Sequence, residues 1–287
     1  MLDLQTLIDP LLELSRTAGV TICQHYYSDE AAHYEEKGDD SPLTRADLDS
    51  HAILTAGLQS LTSDIPILSE ESTGISVQER LAWTQYWLVD PLDGTLEFLD
   101  RTGEFTINIA LIDNHVPVLG LLYLPLEEKA YLGIPGTMAR GYDYIQGAWQ
   151  PHDLRTRKLP ANGALTVLAG IRHRGPRLNK CLAWLEQHHG PLQRKNSGSA
   201  LKFSQLADGL GDIYPRFSPC CEWDTAAGQA LVVAAGGSVL RLDGRPVRYN
   251  LGESLYSPHF YAVADADNAL WQELLHARQV LYRQLGS

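Results

Sequence analysis

The chain has 287 residues, of which 44% are hydrophobic and 20% charged, and this composition fits one large or two modest globular domains with a substantial core. The formal net charge of −12 excludes a nucleic-acid binder that relies on a basic face, but it leaves an anionic substrate open because bound cations can invert the local field. No apolar run approaches the roughly 20 residues of a membrane span, which excludes a spanning helix.

Apolar residues at helical spacing from Leu4 to Ala18 predict a long first helix that ends near Tyr26. The charged residues 35–40 then predict an exposed loop. A second helix is expected after Thr44, because Thr44 and Asp47 fit a variant capping box that precedes further apolar residues at helical spacing. The sequence therefore places two helices, joined by a polar connection, before the first strand.

Short apolar runs between turn residues predict the strands of the first half. They cover residues 65–69, 87–89, 105–112, 116–123 and 130–134, with a hairpin turn at 113–115. Pro91 lacks a backbone donor and has a fixed φ, so we expect the strand that ends at Val89 not to continue through it. The first half is therefore predicted to be two helices beside a mainly antiparallel sheet.

Strand and helix patterns alternate in the second half, after a polar stretch at 151–160. The predicted strands are 165–169, 212–214, 238–240 and 260–264. The predicted helices are 179–188, 200–207, 225–235 and a last one that begins near Asn268. Alternation of this kind predicts a sheet that is covered by helices on both faces.

The sequence indicates neither secretion nor a zinc site. Residues 1–5 lack the basic region and the apolar core of a signal peptide. The spacings of the four cysteines match no zinc site, and adjacent cysteines such as Cys220 and Cys221 rarely pair with each other. We expect reduced thiols and a cytoplasmic location, with peripheral association on the cytoplasmic side of the inner membrane left open.

The hexapeptide Asp90-Pro91-Leu92-Asp93-Gly94-Thr95 places two carboxylates three positions apart, before a glycine and a hydroxyl. Hard divalent cations need oxygen ligands, and backbone amides at a turn can face an anion. Metal-assisted phosphate chemistry needs both parts. Taken alone, the hexapeptide fits a simple loop equally well, because Asp-Pro and Asp-Gly are common turn formers.

Five acidic residues share a position at the end of a strand or the start of a helix: Asp47, Glu70, Asp90, Asp93 and Asp224. Three of them have a simpler interpretation. Asp47 could only complete a helix cap, Glu70 could belong to an exposed acidic pair, and Asp224 could be an N-cap. His25 and His188-His189 lack partners at ligand spacing, so we interpret them as surface or core histidines.

Two blocks together resemble the signature of the lithium-sensitive, magnesium-dependent phosphatases: the hexapeptide, and Trp223-Asp224 followed after eleven residues by Gly236-Gly237. This superfamily includes inositol monophosphatase, fructose-1,6-bisphosphatase and the 3'(2'),5'-bisphosphate nucleotidases. Segments 103–112, 198–203 and 213–217 are similar to bacterial members of the nucleotidase branch. The chain departs from that branch at Leu96, where its members often carry Lys.

The resemblance implies a layered αβαβα sandwich of the inositol monophosphatase and fructose-1,6-bisphosphatase type. Residues 1–155 would form an N-terminal α+β half that carries most metal ligands. Residues 156–287 would form a C-terminal α/β half that completes the site and the substrate pocket. The active site would lie between the halves. Composition and periodicity alone predict only a mixture of α and β structure.

The resemblance also implies roles for individual residues. Two or three Mg²⁺ ions would be bound by Glu70, Asp90, Asp93, Asp224 and the backbone carbonyl of Leu92. Asp47 and Thr95 would orient and deprotonate the attacking water, and the amides of Gly94 and Thr95 would hold the phosphate. The substrate contacts would be Glu70, Leu92, Asp93, Gly94, Thr95, Ser199, Lys202, Arg216 and Asp224. For Lys202 and Arg216 the simpler interpretation is a surface charge.

The implied activity is hydrolysis of the 3'-phosphate of adenosine 3',5'-bisphosphate to AMP and phosphate, which clears a by-product of sulfate activation. One alternative is an inositol monophosphatase or another small-molecule phosphomonoesterase with the same metal site. A second is a catalytically idle member that binds metal and nucleotide as a regulator, which the intact Asp47 and Thr95 disfavour. The expected partner is the small-molecule substrate, with no nucleic acid and no membrane span, and the protein would be a monomer or a homodimer.

Overall fold

The computed structural model describes residues 2–28, 34–36, 42–170 and 175–282. Two helices, preceded by a 3₁₀ turn at Leu4–Leu7, form its first layer: α1, Ile8–Tyr26, and α2, Arg45–Leu61. The long first helix and its end near Tyr26 are confirmed. Residues 37–40 of the expected loop lie outside the described residues, and Tyr34–Glu36 (β1) pairs in an antiparallel ribbon with Pro42–Thr44 (β2).

The capping box at the start of α2 is confirmed. The Thr44 side chain accepts a hydrogen bond from the Asp47 amide at 3.4 Å, and an Asp47 carboxylate oxygen accepts one from the Thr44 amide at 2.8 Å. Asp47 is therefore fixed in the first turn of the helix, with one carboxylate oxygen committed to the cap.

A seven-stranded sheet follows α2 and is mainly antiparallel, as predicted, with only its first two strands parallel. Its strands lie in chain order across the sheet: β3, Ile67–Ser69; β4, Gln85–Asp93; β5, Thr106–Asp113; β6, Val116–Leu124; β7, Lys129–Ile134; β8, Met138–Ile145; β9, Ala148–Asp153. The last two strands were not predicted, and most of β9 is exposed, so it lacks the alternation of a half-buried strand. The short helix Val77–Leu81 (α3) was also not predicted, and a second short helix, Thr95–Leu99 (α4), begins directly after Gly94.

The expectation that the strand stops before Pro91 was wrong, because β4 continues to Asp93. Pairing with β5 is regular up to Asp90 opposite Asn108 and resumes at Asp93 opposite Thr106. Pro91 lies inside this register shift, where the ladder requires no donor from it.

The second sheet has five strands in the order β11-β10-β12-β14-β13. They are β10, Leu165–Ala169; β11, Leu192–Asn196; β12, Ile213–Arg216; β13, Ser238–Arg241; and β14, Phe260–Val263. Its helices are α5, Pro176–His188; α6, Leu201–Ala207; α7, Ala226–Ala234; and α8, Ala269–Tyr282. The predicted elements are confirmed to within a few residues, whereas the exposed and charged strand β11 was not predicted.

Three buried clusters define the layers. One joins α1 and α2 to the face of β4 that carries Trp87 and Val89. A second fills the space between the two sheets, where Tyr86 and Leu88 meet α6 and α7. The third joins the outer face of the second sheet to α5 and α8. Because successive residues of β4 are buried on opposite faces, this strand lies in the middle of the sandwich. The predicted αβαβα order is confirmed, while the division near residue 155 stays a prediction.

No helix within the described ranges is long and apolar enough to cross a membrane. All four cysteines lie in these ranges, and no disulfide joins them.

Two glycines let α7 lie directly on the first sheet. Gly120 and Gly133 are opposite each other on β6 and β7. A Cβ at Gly133 would lie 2.5 Å from the Leu231 Cα and 2.9 Å from the Ala230 carbonyl oxygen, and one at Gly120 would lie 2.8 Å from the Ala227 Cα. Real Cβ atoms do not approach backbone so closely, so a side chain at either position would push the helix away from the sheet.

We expect Gly133→Ala to lower the free energy of unfolding by about 1–3 kcal/mol, because the added methyl overlaps helix backbone that cannot move aside cheaply. Urea denaturation measures this directly. The matched control is Gly252→Ala, whose Cβ would meet no atom within 4 Å. Equal destabilisation of the two variants would contradict the close approach of α7.

Candidate active site

Acidic side chains from three elements converge at one edge of the first sheet. Glu70 follows β3 and Asp93 ends β4, and these strands are parallel, so their carboxyl ends meet. Asp224 lies two residues before α7 and comes from the second half of the chain. Carboxylate oxygens of Asp90, Asp93 and Asp224 all lie within 4.8 Å of one another. The structure therefore brings together three of the five acidic residues that the sequence singled out, and Glu70 and Asp47 lie near enough for their charges to act on Asp90.

Burial and mutual repulsion dominate the electrostatics of this cluster. Burial raises the pKa of Asp90 well above its usual range, and the charges of Glu70, Asp93 and Asp224 raise it further. Burial also raises the pKa of Asp224 to about 8, with added repulsion from Asp93 and Glu70. So many carboxylates cannot all be ionised at this spacing without a compensating cation. An all-oxygen donor set is the kind that Mg²⁺, Mn²⁺ and Ca²⁺ prefer, so these residues fit a hard divalent metal.

Side chains supply the hydrogen bonds that the irregular part of β4 lacks. The Leu92 amide donates to Asp90 Oδ1 at 3.1 Å. The Pro91 carbonyl accepts from Ser50 Oγ at 2.8 Å, and the Leu92 carbonyl accepts from Thr95 Oγ1 at 3.4 Å. The backbone between the two aspartates is therefore held in a defined conformation, although it has left the ladder.

Asp47 faces the same region from α2. Thr95 Oγ1 lies 3.3 Å from Asp47 Oδ1, and the other oxygen of Asp47 accepts from the Thr44 amide at 2.8 Å and the Thr44 hydroxyl at 2.5 Å. The two interpretations of Asp47 are therefore compatible, since one oxygen caps the helix and the other meets Thr95. Asp224 does not cap α7, because the N-cap is Thr225 and Asp224 instead accepts from the Cys221 amide at 2.9 Å.

Gly94 has φ +96° and ψ 43°, a left-handed conformation that favours glycine, and α4 begins at the next residue, Thr95. A Cβ at Gly94 would lie 3.1 Å from the Glu104 carbonyl oxygen and 3.2 Å from Ser199 Cβ. The turn that carries the end of the hexapeptide therefore lies against a turn from the second half of the chain.

A cleft beside the acidic cluster is lined by Asp93, Gly94 and Asp224 together with Ser199, Lys202 and Arg216. Leu96, the departure from the nucleotidase pattern, also lines it and is 48% exposed. Six of the nine predicted substrate contacts therefore line one cavity, whereas Glu70, Leu92 and Thr95 are not among its lining residues. Contact with a substrate stays a prediction.

The simpler interpretation as a surface charge was wrong for Lys202, which is buried, whereas Arg216 is half-buried. The Lys202 ammonium is buried and donates to the carbonyls of Ser197 and Gly198 at 3.0 Å and of Ser199 at 2.5 Å. Burial lowers the pKa of this lysine to about 8, although the Asp93 carboxylate acts in the opposite direction. The half-buried Arg216 donates to two carbonyls of the following loop at 3.2 and 2.9 Å.

Three residues near the site were missed by reasoning from the sequence. Asn108 donates to Asp93 Oδ2 at 3.2 Å, and Thr106 donates to Asn108 Oδ1 at 2.8 Å. Glu104 accepts from the Gly198 amide at 2.7 Å. A polar residue inside the apolar run of β5 was the available signal for Asn108, because a buried amide needs partners. His25 instead contacts Asp49 at 2.9 Å, and His188 donates to the Trp184 carbonyl, so neither joins the acidic cluster.

The chain belongs to the inositol monophosphatase family, whose model matches residues 3–281. The CysQ 3'(2'),5'-bisphosphate nucleotidase of Salmonella typhimurium is 40% identical over 254 residues, which are 88% of this chain and 98% of that protein. Its counterpart in Escherichia coli K12 is 39% identical over 255 residues, with the same coverage of 88% and 98%.

Solved structures agree with this assignment. The crystal structure of CysQ from Bacteroides thetaiotaomicron matches with a TM-score of 0.78 and 34% identity, covering 92% of this chain and 100% of that one. An IMPase from Thermotoga maritima has a TM-score of 0.75 over 97% of this chain and 99% of its own. Its identity is 19%, so that likeness concerns the fold alone.

We expect Asp90→Asn to unfold at a higher temperature than the wild type in chelator, because it removes one of several mutually repelling buried charges. The gain in the free energy of unfolding should be about 1 kcal/mol. In millimolar Mg²⁺ the order should reverse, since the wild type gains more from cation binding. Thermal melts in both buffers test this, with Asp153→Asn on the exposed edge strand as the control. A variant that is equally destabilised in both buffers would contradict the repulsion.

Proposed function

We propose that this chain is a Mg²⁺-dependent phosphatase that hydrolyses the 3'-phosphate of adenosine 3',5'-bisphosphate to AMP and phosphate. The observation that carries the proposal is the convergence of Asp90, Asp93 and Asp224 at a cleft between the halves. The substrate is suggested by the CysQ nucleotidases, which are 32–40% identical over most of the chain. Such an enzyme would clear the by-product of sulfate activation in the cytoplasm.

The proposed metal ligands are the carboxylates of Glu70, Asp90, Asp93 and Asp224 and the carbonyl of Leu92, for two or three Mg²⁺ ions. When bound, the ions would neutralise the phosphate, lower the pKa of water and stabilise the leaving alkoxide. The protein contributes the geometry. Asn108 donates to one oxygen of Asp93 at 3.2 Å and is itself held by the Thr106 hydroxyl at 2.8 Å, so that carboxylate has a fixed direction.

Asp47 and Thr95 are the proposed pair that handles water. Thr95 Oγ1 lies 3.4 Å from the Leu92 carbonyl and 3.3 Å from Asp47 Oδ1. In the proposed reaction its one proton is directed to Asp47, which leaves the lone pairs of its oxygen to orient a water molecule. As the water attacks, its proton passes to the Thr95 oxygen while the Thr95 proton passes to Asp47. The cap that Asp47 makes with Thr44 prevents the carboxylate from turning away from this task.

The phosphate and the nucleotide are proposed to lie along the cleft. The amides of Gly94 and Thr95 would hold the reacting phosphate. Ser199, Lys202 and Arg216 would face the second phosphate or the nucleotide. Lys202 would act through its positive charge, because its three donors already hold the carbonyls of residues 197–199.

The direct test compares phosphate release from adenosine 3',5'-bisphosphate and from inositol 1-phosphate at saturating Mg²⁺. We expect kcat/KM to be at least about tenfold higher for the nucleotide, because only the nucleotide offers a second phosphate to Lys202 and Arg216. The opposite order would favour the inositol monophosphatase alternative. Release from neither ester would favour an idle regulator. Quaternary state and peripheral membrane association stay predictions.

We expect activity to be lost in EDTA and restored by Mg²⁺, and Asp93→Asn to lower kcat by about 100-fold or more while the protein stays folded. The carboxamide keeps the size of the side chain but removes the charge that would bind the cation. Phosphate release and circular dichroism measure the two parts. The control variant Asp153→Asn, far along the sheet, should behave as the wild type. Full activity in EDTA would contradict the proposed metal-dependent mechanism.

A further inference from the structure

One face of α2 presents three polar residues to the acidic strand ends: Asp47, Ser50 and His51. Ser50 and His51 follow Asp47 by three and four positions, so each lies beside Asp47 on the helix surface. Asp47 has a place in the proposed reaction. Ser50 and His51 have no such place. Ser50 contacts the backbone between two proposed metal ligands, and His51 contacts the residue just before another.

Ser50 is completely buried and donates its hydroxyl to the Pro91 carbonyl at 2.8 Å. A hydroxyl inside a helix commonly bonds back to the preceding turn, as Thr55 does to the His51 carbonyl at 2.7 Å on this same helix. Ser50 instead reaches across to the sheet. Its acceptor lies in the register shift between Asp90 and Asp93, where the ladder to β5 is interrupted. This hydrogen bond therefore ties the helix to the short segment that spaces two carboxylates.

His51 makes the corresponding contact to the neighbouring strand. Its Nδ1 lies 2.9 Å from Ser69 Oγ, and Ser69 is the buried last residue of β3, directly before Glu70. The Ser69 amide donates to Ser72 Oγ at 3.0 Å, so the turn that carries Glu70 is closed on itself. The position of Ser69 relative to α2 therefore sets the position of this turn and of Glu70 within it.

We propose that Ser50 and His51 are positioning residues that hold the ends of β3 and β4 at the spacing a divalent cation requires. The carboxylates repel one another, so without these contacts the acidic ends of the two strands would relax apart. A cation would then have to draw them together again as it binds, which weakens its affinity. The inference rests on the proposed function only in that the acidic cluster binds a divalent cation, whichever ester is cleaved.

The test measures Mn²⁺ binding to the full chain without substrate, by titration calorimetry. We expect Ser50→Ala to raise the Kd for Mn²⁺ on the order of tenfold. Hydrogen exchange should also become faster in peptides that cover residues 88–95. The matched control is Ser15→Ala, since Ser15 is equally buried in α1 but its hydroxyl has no hydrogen-bond partner among the described residues. That variant should bind Mn²⁺ as the wild type does.

His51 is tested in the same way with two substitutions. His51→Leu removes the polar contact to Ser69 and should raise the Kd for Mn²⁺, whereas His51→Asn keeps a polar group at about the reach of Nδ1 and should restore much of the affinity. A merely structural role would lower the melting temperature of both variants without separating their affinities for the metal.

An unchanged Kd for Mn²⁺ in folded Ser50→Ala and His51→Leu would overturn the inference. If Ser50→Ala does not fold, Ser50→Cys carries the test, because the thiol keeps the volume but is a weak donor. Wild-type affinity in folded Ser50→Cys would then overturn it. Weakened Mn²⁺ binding in a protein that hydrolyses neither ester would support the inference and contradict the proposed function. Nucleotide hydrolysis together with unchanged Mn²⁺ affinity in the variants would support the proposed function and contradict the inference.

Discussion

The mutual repulsion of three clustered carboxylates, from the buried Asp90 and the half-buried Asp93 and Asp224, is the constraint on which the rest of the structure depends. Their oxygens lie within 4.8 Å of one another in a place where burial already disfavours charge. A flexible chain would separate them. Here β4 is packed on both faces, and α7 is fixed directly against Gly120 and Gly133. The stability of the layers is therefore used to hold an arrangement that is unfavourable until a cation binds.

The irregular end of β4 shows how this arrangement is built from ordinary parts. Between Asp90 and Asp93 the backbone of β4 leaves the hydrogen-bond ladder, which brings both carboxylates to the same end of the sheet. As a consequence, the backbone groups of Pro91 and Leu92 lose their ladder partners. These backbone groups form hydrogen bonds with side chains instead, and those side chains belong to residues of the site or its immediate surroundings. The hydrogen bonds that repair the strand are thus also the ones that fix the ligands.

Local pattern explains most of what could be predicted from the sequence. Apolar periodicity located the long helices and the buried strands, and the order of layers followed from the family resemblance. Apolar periodicity failed for the exposed strands β9 and β11, because strands with both faces in solvent do not alternate apolar and polar residues. Pro91 was misjudged because a bulge relieves the ladder of the donor that proline lacks. The contact between Thr95 and Asp47 joins residues 48 positions apart, and the one between Ser50 and Pro91 spans 41, so neither follows from local pattern.

The seating of α7 also bears on how substrate enters. This helix begins two residues after Asp224, rests on the first sheet through two glycines and supports the second sheet from its other side. A helix in that position cannot slide or tilt without opening the packed space between both sheets. Within the described residues, α7 therefore holds the two sheets at a fixed spacing. A ligand that enters the cleft therefore meets walls whose spacing is set by the packing of α7, with the exposed Leu96 among the residues that line it.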